Sequence, residues 1–453
     1  MRARISSKNI LKKCLSEMMD FNFNKSIESI VIDSRKIRHN DIFLCLQGKK
    51  SHGSDFIDEE ILRKVSYIIT DSKTKGDKIL NVDNSNLFLN NLATNFRKRL
   101  ETKFIGITGT NGKTSTKEFL LQMLKTKFNV SCSRGNYNSL ISMPLSVLEC
   151  NENSDFCILE MGASKNGEIG KLCEIANPNY GVVTNISESH LKGYSNFNSL
   201  IKTKMQLFDY LSNNNGTFFQ NLDDKNISVK NNDKLQSISF SILNENSDYF
   251  MKNSYNESKD NRKVLINDYE FVMPHHSKSF KYNFLCSYSI ASHLGISNEN
   301  IDKGLKEYDI PNGRGNIIKK NDYLIINDSY NANYKSMTQG IEDLNSITKG
   351  KYNANLFLSD MLELGEQSQF FHNKLGCFLS NLDFIDNIFL IGKRVVTTYD
   401  AIENRKVKKY YFEDLNSFFK NFRLKQIDKN SINYIKGSRS MHLNKIMEVF
   451  DVR

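Results

Sequence analysis

The sequence has no tryptophan and only 4 prolines in 453 residues. Together with abundant Asn, Lys, Ile and Phe, this matches AT-rich coding composition and says little about structure. No CxxC pair occurs among the 8 cysteines, at positions 14, 45, 132, 150, 157, 173, 286 and 377. That argues against a zinc site or a disulfide framework, and for reduced, mostly buried thiols in a cytoplasmic protein. No apolar run approaches the roughly 18 residues that cross a bilayer. The basic start, MRARISSKNILKKCLSEMMD, lacks the apolar core of a secretory signal. Neither membrane insertion nor export is expected. Lys and Arg exceed Asp and Glu by 62 to 51, a surplus of +11, but they are scattered. No RNP-type aromatic motif or helix-turn-helix pattern accompanies them, so no nucleic-acid partner is expected and small anionic ligands remain.

What is present is a globular composition, 39% hydrophobic and 25% charged. At about 150 residues per domain, the length implies about three domains. A helix over 87–100, with Leu87, Leu92, Phe96 and Leu100 inward, gives way near residue 102 to FIGITGTNGKTSTKEFLLQML. This segment reads as an apolar strand, a Gly loop and a helix whose inner face is Phe119, Leu120, Met123 and Leu124. Strands at 156–160, 181–186 and 217–220 then alternate with helices at 167–175 and 197–211, while the polar stretch 244–263 reads as surface loops or hairpin edges. After Pro311 the alternation restarts, with strands at 323–327, 355–359, 387–391, 410–412 and 432–435. Such alternation implies mainly parallel sheets covered on both faces. The expected architecture is α/β in three domains: a small α/β domain over 1–102, a P-loop-type domain with a mainly parallel sheet over 103–311, and a Rossmann-like domain over 312–453.

The strongest local signal is Thr108-Gly109-Thr110-Asn111-Gly112-Lys113-Thr114-Ser115 between strand and helix. Glycines let backbone N–H groups close around phosphate oxygens at a helix N-terminus. Lys113 suits the β- and γ-phosphates, and Thr114 offers a hydroxyl to Mg²⁺. Ile107 stands where a standard P-loop has its first Gly. Glu160 ends a buried strand, and the carboxyl ends of strands in open α/β sheets face the ligand crevice, so its carboxylate suits Mg²⁺ beside a triphosphate. His190 follows the next strand; by spacing alone such a His is more often structural. Lys202 and Lys204, on a helix, would by pattern alone be solvated.

The 108–114 loop resembles that of the Mur ligase superfamily, ATP-dependent enzymes that form amide bonds. So do Ile158-Leu159-Glu160-Met161-Gly162-Ala163, Asp328-Ser329-Tyr330-Asn331-Ala332-Asn333, Asp360-Met361-Leu362-Glu363-Leu364-Gly365 and Lys436-Gly437-Ser438-Arg439, in the family's order. These motifs resemble most the branch that adds D-alanyl-D-alanine. The resemblance implies an ATP-dependent ligase that joins D-alanyl-D-alanine to UDP-MurNAc-tripeptide through an acyl phosphate, for peptidoglycan synthesis. It implies two Mg²⁺ ions, held by Thr114, Glu160 and His190, and a lysine carbamylated by CO₂. Lys204 fits that lysine, because Met205-Gln206-Leu207 follows it where the family has x-Glu-hydrophobic. Gln206 replaces the Glu, and Lys192 stands where the family commonly has an acidic residue.

By the same resemblance Asn283 reads adenine, Arg314 approaches the ATP phosphates and Asp328 meets the ribose. Ser34, Arg35, Gln47 and Gly48 hold the UDP end, and Asn136 and Asn138 lie near the reacting carboxylate. Tyr330, Asn331, Asn333 and the 360–365 loop position the dipeptide, and the last domain closes on a hinge near 311–315. A monomer is expected. The rivals are the ligase adding the third residue, whose Asp-Asn-Pro-Arg motif is absent, folylpolyglutamate synthase, and a catalytically silent scaffold of the same fold. The identity of the tripeptide's third residue is not legible.

Overall fold

The computed structural model describes residues 1–189, 191–227, 235–253, 262–274, 277–348 and 352–451. Three sheets follow one another along the chain. The first has five strands in chain order, from Arg2–Arg4 to Ile79–Asn81, parallel except for Arg2–Arg4 at its edge. The second has nine. Its parallel part runs in the order Val130–Cys132, Phe156–Glu160, Lys103–Thr108, Tyr180–Val183, Thr217–Asn221, Gln236–Ser241, Tyr249–Asn253. Lys263–Ile266 and Tyr269–Val272 extend it as an antiparallel hairpin. The third sheet has antiparallel Asn316–Lys320 at its edge, then parallel Tyr323–Asn327, Ile432–Lys436, Ala354–Ser359, Ile385–Ile391 and Lys408–Phe412. The mainly parallel α/β class expected from the sequence is the one observed.

The period of two in a strand decides which core each side chain joins. In the central sheet Phe104, Cys157 and Phe218 face one cluster, and their neighbours Ile105, Ile158 and Phe219 face the other. Helix Lys113–Lys125 covers the second face with Phe119, Leu120, Met123 and Leu124, all fully buried as expected. The first face is continuous with the core of the N-terminal region, because helix Ser85–Arg97 places Phe88, Leu89, Leu92, Ala93 and Phe96 in the same cluster as Leu159 and Leu172. Arg97 reinforces the junction, donating to the carbonyls of Ala176 (2.8 Å) and Asn177 (3.1 Å) with its guanidinium 3.9 Å from the Phe104 ring. The C-terminal region has its own two cores on either side of its sheet.

Two sequence expectations need correction. Leu87 is exposed, not inward. Asn84 caps the helix by accepting from the Leu87 N–H, which puts Leu87 in the first turn on the outer face; its spacing of five to Leu92 is not a helical repeat. In the 244–263 stretch, of which 254–261 lie outside the described residues, Tyr249–Asn253 is a strand inside the central sheet and not a loop or edge. All eight cysteines are free thiols and six are buried. No described helix is long and apolar enough to cross a membrane.

Candidate active site

Strand Lys103–Thr108 delivers the chain into the Gly loop, and helix Lys113–Lys125 leaves it. Gly109 and Gly112 have φ of 140° and 85°. A Cβ at Gly109 would lie 2.0 Å from Thr184 Oγ1, and one at Gly112 would lie 2.2 Å from Asn283 Oδ1. Only glycine fits either place. The next strand's loop pins the turn: the Asn111 N–H donates to Asn185 Oδ1 (3.1 Å), and the Asn111 carbonyl accepts from Thr184 Oγ1 (2.6 Å) and Asn185 Nδ2 (2.9 Å). Lys113 folds back over this loop, donating to the carbonyls of Gly109 (2.8 Å) and Thr110 (3.0 Å). Burial lowers its pKa, Glu160 opposes that shift, and Arg314 adds to it.

Glu160 sits at the end of its strand, 2% exposed. Its two oxygens accept from Thr114 Oγ1 (2.9 Å) and Asn138 Nδ2 (2.7 Å). Lys204, 3% exposed, donates to the Gly109 carbonyl at 3.0 Å. Burial drives its pKa well below the ordinary lysine value, and Lys113 adds to the shift. Lys202, two residues earlier on the same helix, is exposed. Gln206 accepts from the Gly170 N–H at 2.9 Å. The hydroxyl of Thr114 and the carboxylate of Glu160 form an all-oxygen pair beside the phosphate loop, which fits a hard divalent cation. Among the described residues no cluster of three or more His, Cys, Asp and Glu adds to them. His190 lies outside the described residues.

Sequence reasoning missed Lys117. Fully buried, it donates to the carbonyls of Ser133 (2.7 Å) and Gly135 (2.9 Å) and pairs with Glu118 at 3.1 Å. It therefore ties the phosphate-loop helix to the loop that carries Asn136 and Asn138. A signal was present: Lys117 shares a helix face with Leu120 and Leu124, so a charge stood in the apolar stripe.

A cavity of about 1110 Å³ opens between these elements and the C-terminal region. Thr110 to Ser115, Asn136, Asn138, Glu160 and Asn283 line one side, and Arg314, Asp328, Tyr330 and Asn331 line the other. Arg314 Nη2 donates to Thr114 Oγ1 (3.1 Å), its guanidinium lies 3.7 Å from the Tyr330 ring centre, and its buried Nε has no partner among the described residues. Asp328 accepts from Tyr434 (2.8 Å) and Lys436 (2.5 Å). Asn333 does not line the cavity; it donates to Asn111 Oδ1 at 2.8 Å, across 222 residues of sequence. Further bridges are Lys192 N–H to the Glu363 carbonyl (3.2 Å) and Ser277 Oγ to Asp343 (2.5 Å). Ser34, Arg35, Gln47 and Gly48 are not brought into this cavity. Arg35 lies at the surface on Asp33 (2.8 Å), and Gln47 donates to the Gly48 carbonyl (2.9 Å).

Residues 26–97 match the family described as Mur ligase family, catalytic domain, and residues 107–291 the Mur ligase middle domain. The chain is 32% identical over 436 residues to a UDP-N-acetylmuramoyl-tripeptide–D-alanyl-D-alanine ligase of Buchnera aphidicola, covering 93% of this chain and 92% of the relative. A MurF ligase from Thermotoga maritima, solved in complex with ADP, superposes with a TM-score of 0.80 at 26% identity, over 95% of this chain and 97% of that one. A MurF structure from Acinetobacter baumannii shares the fold with a TM-score of 0.84 at 23% identity, over 99% and 100% of the two chains. The chain belongs to the Mur ligase family, among the UDP-N-acetylmuramoyl-tripeptide–D-alanyl-D-alanine ligases.

Proposed function

We propose that this chain uses ATP to join D-alanyl-D-alanine to UDP-N-acetylmuramoyl-tripeptide, giving the pentapeptide precursor of peptidoglycan. The observation that carries this reading is one cavity lined both by the phosphate loop with Glu160 and by Tyr330 and Asn331 of the C-terminal region. Such a cavity holds a nucleotide and an acceptor within reach of each other. The division of labour follows residues 1–102 for the UDP end, 103–311 for ATP and 312–453 for the dipeptide.

In the proposed reaction the tripeptide's terminal carboxylate oxygen attacks the γ-phosphorus of ATP, and the bond to the β,γ-bridging oxygen breaks to release ADP. The dipeptide's amine then attacks the acyl carbon, phosphate leaves, and the amine proton passes to solvent. Lys113 and Arg314 oppose the charge that gathers on the phosphates. Gly109 to Ser115 cradle them, Asn283 and Asp328 hold adenine and ribose, and Asn136 and Asn138 orient the attacking carboxylate. Ser34, Arg35, Gln47 and Gly48 hold the uridine diphosphate. Asn333 acts through Asn111, tying the C-terminal wall to the phosphate loop. That contact and Lys192–Glu363 support closure about 311–315, which keeps water from the acyl phosphate.

Thr114 and Glu160, with His190, are the residues that would hold Mg²⁺, which supplies phosphate neutralisation when bound. Lys204 is the proposed carbamylation site. It is buried, its ammonium form is disfavoured, and a neutral Nζ can add to CO₂ with loss of one proton to give an anion beside Lys113. The two walls of the cavity come from one chain, which supports action as a monomer, and the eight free thiols support a reducing, cytoplasmic setting.

The test is ATP turnover by the purified chain. Phosphate release is expected only when UDP-MurNAc-tripeptide and D-alanyl-D-alanine are both present, and Lys113→Ala is expected to abolish it. Release unchanged by omitting the dipeptide, or intact in Lys113→Ala, would refute the ligase reading.

A further inference from the structure

The Lys436-Gly437-Ser438-Arg439 turn has no role in the chemistry above, yet it is built with care. Strand Ile432–Lys436 lies inside the third sheet, between Tyr323–Asn327 and Ala354–Ser359. The turn therefore leaves the carboxyl end of an interior parallel strand, where ligands gather in open α/β sheets. Its first three residues are fully engaged. Lys436 is buried on Asp328 at 2.5 Å. Gly437 packs so tightly that a Cβ there would lie 2.8 Å from Ser359 Cβ. Buried Ser438 accepts from the Leu362 N–H (2.9 Å) and donates its own N–H to the Asp360 carbonyl (3.3 Å). From this fixed base Arg439 emerges exposed on the cavity wall. Its Nη1 lies 3.4 Å from the Tyr330 hydroxyl, and its guanidinium 5.2 Å from the Tyr330 ring centre. It has no carboxylate partner among the described residues.

Tyr330 is thus shared by two guanidinium groups. Arg314, 3.7 Å from the ring centre, also donates to Thr114, on the side where the ATP phosphates are proposed to lie. Asp328, one acid of this wall beside Asp343 and Glu363, is already paired with Lys436. Arg439 thus offers the cavity a second guanidinium, for an anion other than the one at Arg314. A planar guanidinium on a fixed base, held beside an aromatic ring by contact with its hydroxyl, suits bidentate capture of a carboxylate.

We propose that Arg439 binds the free C-terminal carboxylate of the incoming dipeptide, making it a specificity-determining residue that selects an acceptor ending in an acid. The inference rests on the ligase reading and deepens it. With the carboxylate on Arg439 the dipeptide's other end, its amine, is left to face the acyl phosphate.

The experiment compares D-alanyl-D-alanine with D-alanyl-D-alaninamide, which keeps the amine and loses the carboxylate charge, in the wild type and in Arg439→Ala. The wild type is expected to favour the acid by about 30-fold or more in kcat/KM. Arg439→Ala lowers kcat/KM for the acid by a similar factor and leaves the amide rate nearly unchanged, so discrimination collapses. KM for ATP and for UDP-MurNAc-tripeptide stays at wild-type values, which also reports an intact fold. Lys335→Ala removes the other exposed cation of this wall and retains discrimination. Equal loss for acid and amide in Arg439→Ala, a shifted KM for ATP or the tripeptide, or collapse in Lys335→Ala would each overturn the assignment. Absence of dipeptide-dependent turnover in the wild type would sink the functional reading itself, and the inference with it.

Discussion

At the phosphate loop, Glu160, Thr114 and Lys204 are each buried and each held by a hydrogen bond to a neighbouring element. In the N-terminal region Asp33 and Ser34 are half-buried, while Gln47 is exposed and 87% of the Arg35 side chain is in water. The two regions share one hydrophobic core, so they belong to one base and differ in how their polar groups are prepared. Groups that must meet developing charge are pre-aligned in a low-dielectric setting, where they act most strongly and need no reorganisation. Groups that only grip a ground-state ligand can wait in water. The C-terminal wall follows a third pattern, with separate cores and polar bridges to the base, which suits the closing role proposed for it.

If that contrast holds, the largest loss comes from the buried side. Lys204→Ala is expected to lower kcat about 10²–10³-fold, while Lys202→Ala, on the exposed face of the same helix, changes it less than about twofold. Initial rates of ADP release decide the matter. Comparable losses at both positions would break the link between burial and chemistry.

Lys117→Met comes next. It leaves the Ser133 and Gly135 carbonyls without their buried donor, at a cost of about 1–3 kcal/mol in urea unfolding. The same change frees the loop that carries Asn138, so kcat falls at unchanged KM for ATP. A stability loss without any kcat effect would mean that Lys117 supports the fold alone.

Lys117 also marks the limit of what the sequence made legible. The strand–loop–helix of 103–125 was readable because its apolar face and glycines are local signals, and Glu160 because it ends an apolar run. Whether Lys202 or Lys204 is buried was not readable from period alone; it depends on strand Lys103–Thr108 and its loop approaching from 95 residues away. Asn333 illustrates the same limit. Its motif was recognisable, but its partner Asn111 is set by how the C-terminal region meets the base. Leu87 failed for a local reason, since the helix cap at Asn84 rotates it outward.

On the exposed side the expected effects are smaller. Arg35→Ala raises KM for UDP-MurNAc-tripeptide by about tenfold or less, with kcat retained, because a group gripping substrate and transition state equally affects binding alone. A fall in kcat of the size seen for Lys204→Ala would place Arg35 in the chemical step and erase the contrast.

Asp33 gives the smallest effect and the finest test. The Arg35 side chain donates to both its oxygens, at 2.8 and 3.0 Å, and this is the main cause that draws the Asp33 pKa from 3.8 to about 2. A carboxyl whose folded pKa lies below its unfolded value adds stability above the unfolded pKa, and that stability is lost as pH falls through the folded one. The sensitive window therefore runs downward from about pH 4 to about pH 2. Water around Arg35 screens the pair, so the contribution is far less than the shift alone would imply. Asp33→Asn is expected to lower the urea midpoint only slightly at pH 7, with the difference shrinking through that window and at high salt. Asn retains the cap that Asp33 makes by accepting from the Arg35 N–H. A difference that persists through the acid window would therefore show that Asp33 acts through local geometry instead of charge, and that even this motif is pre-aligned.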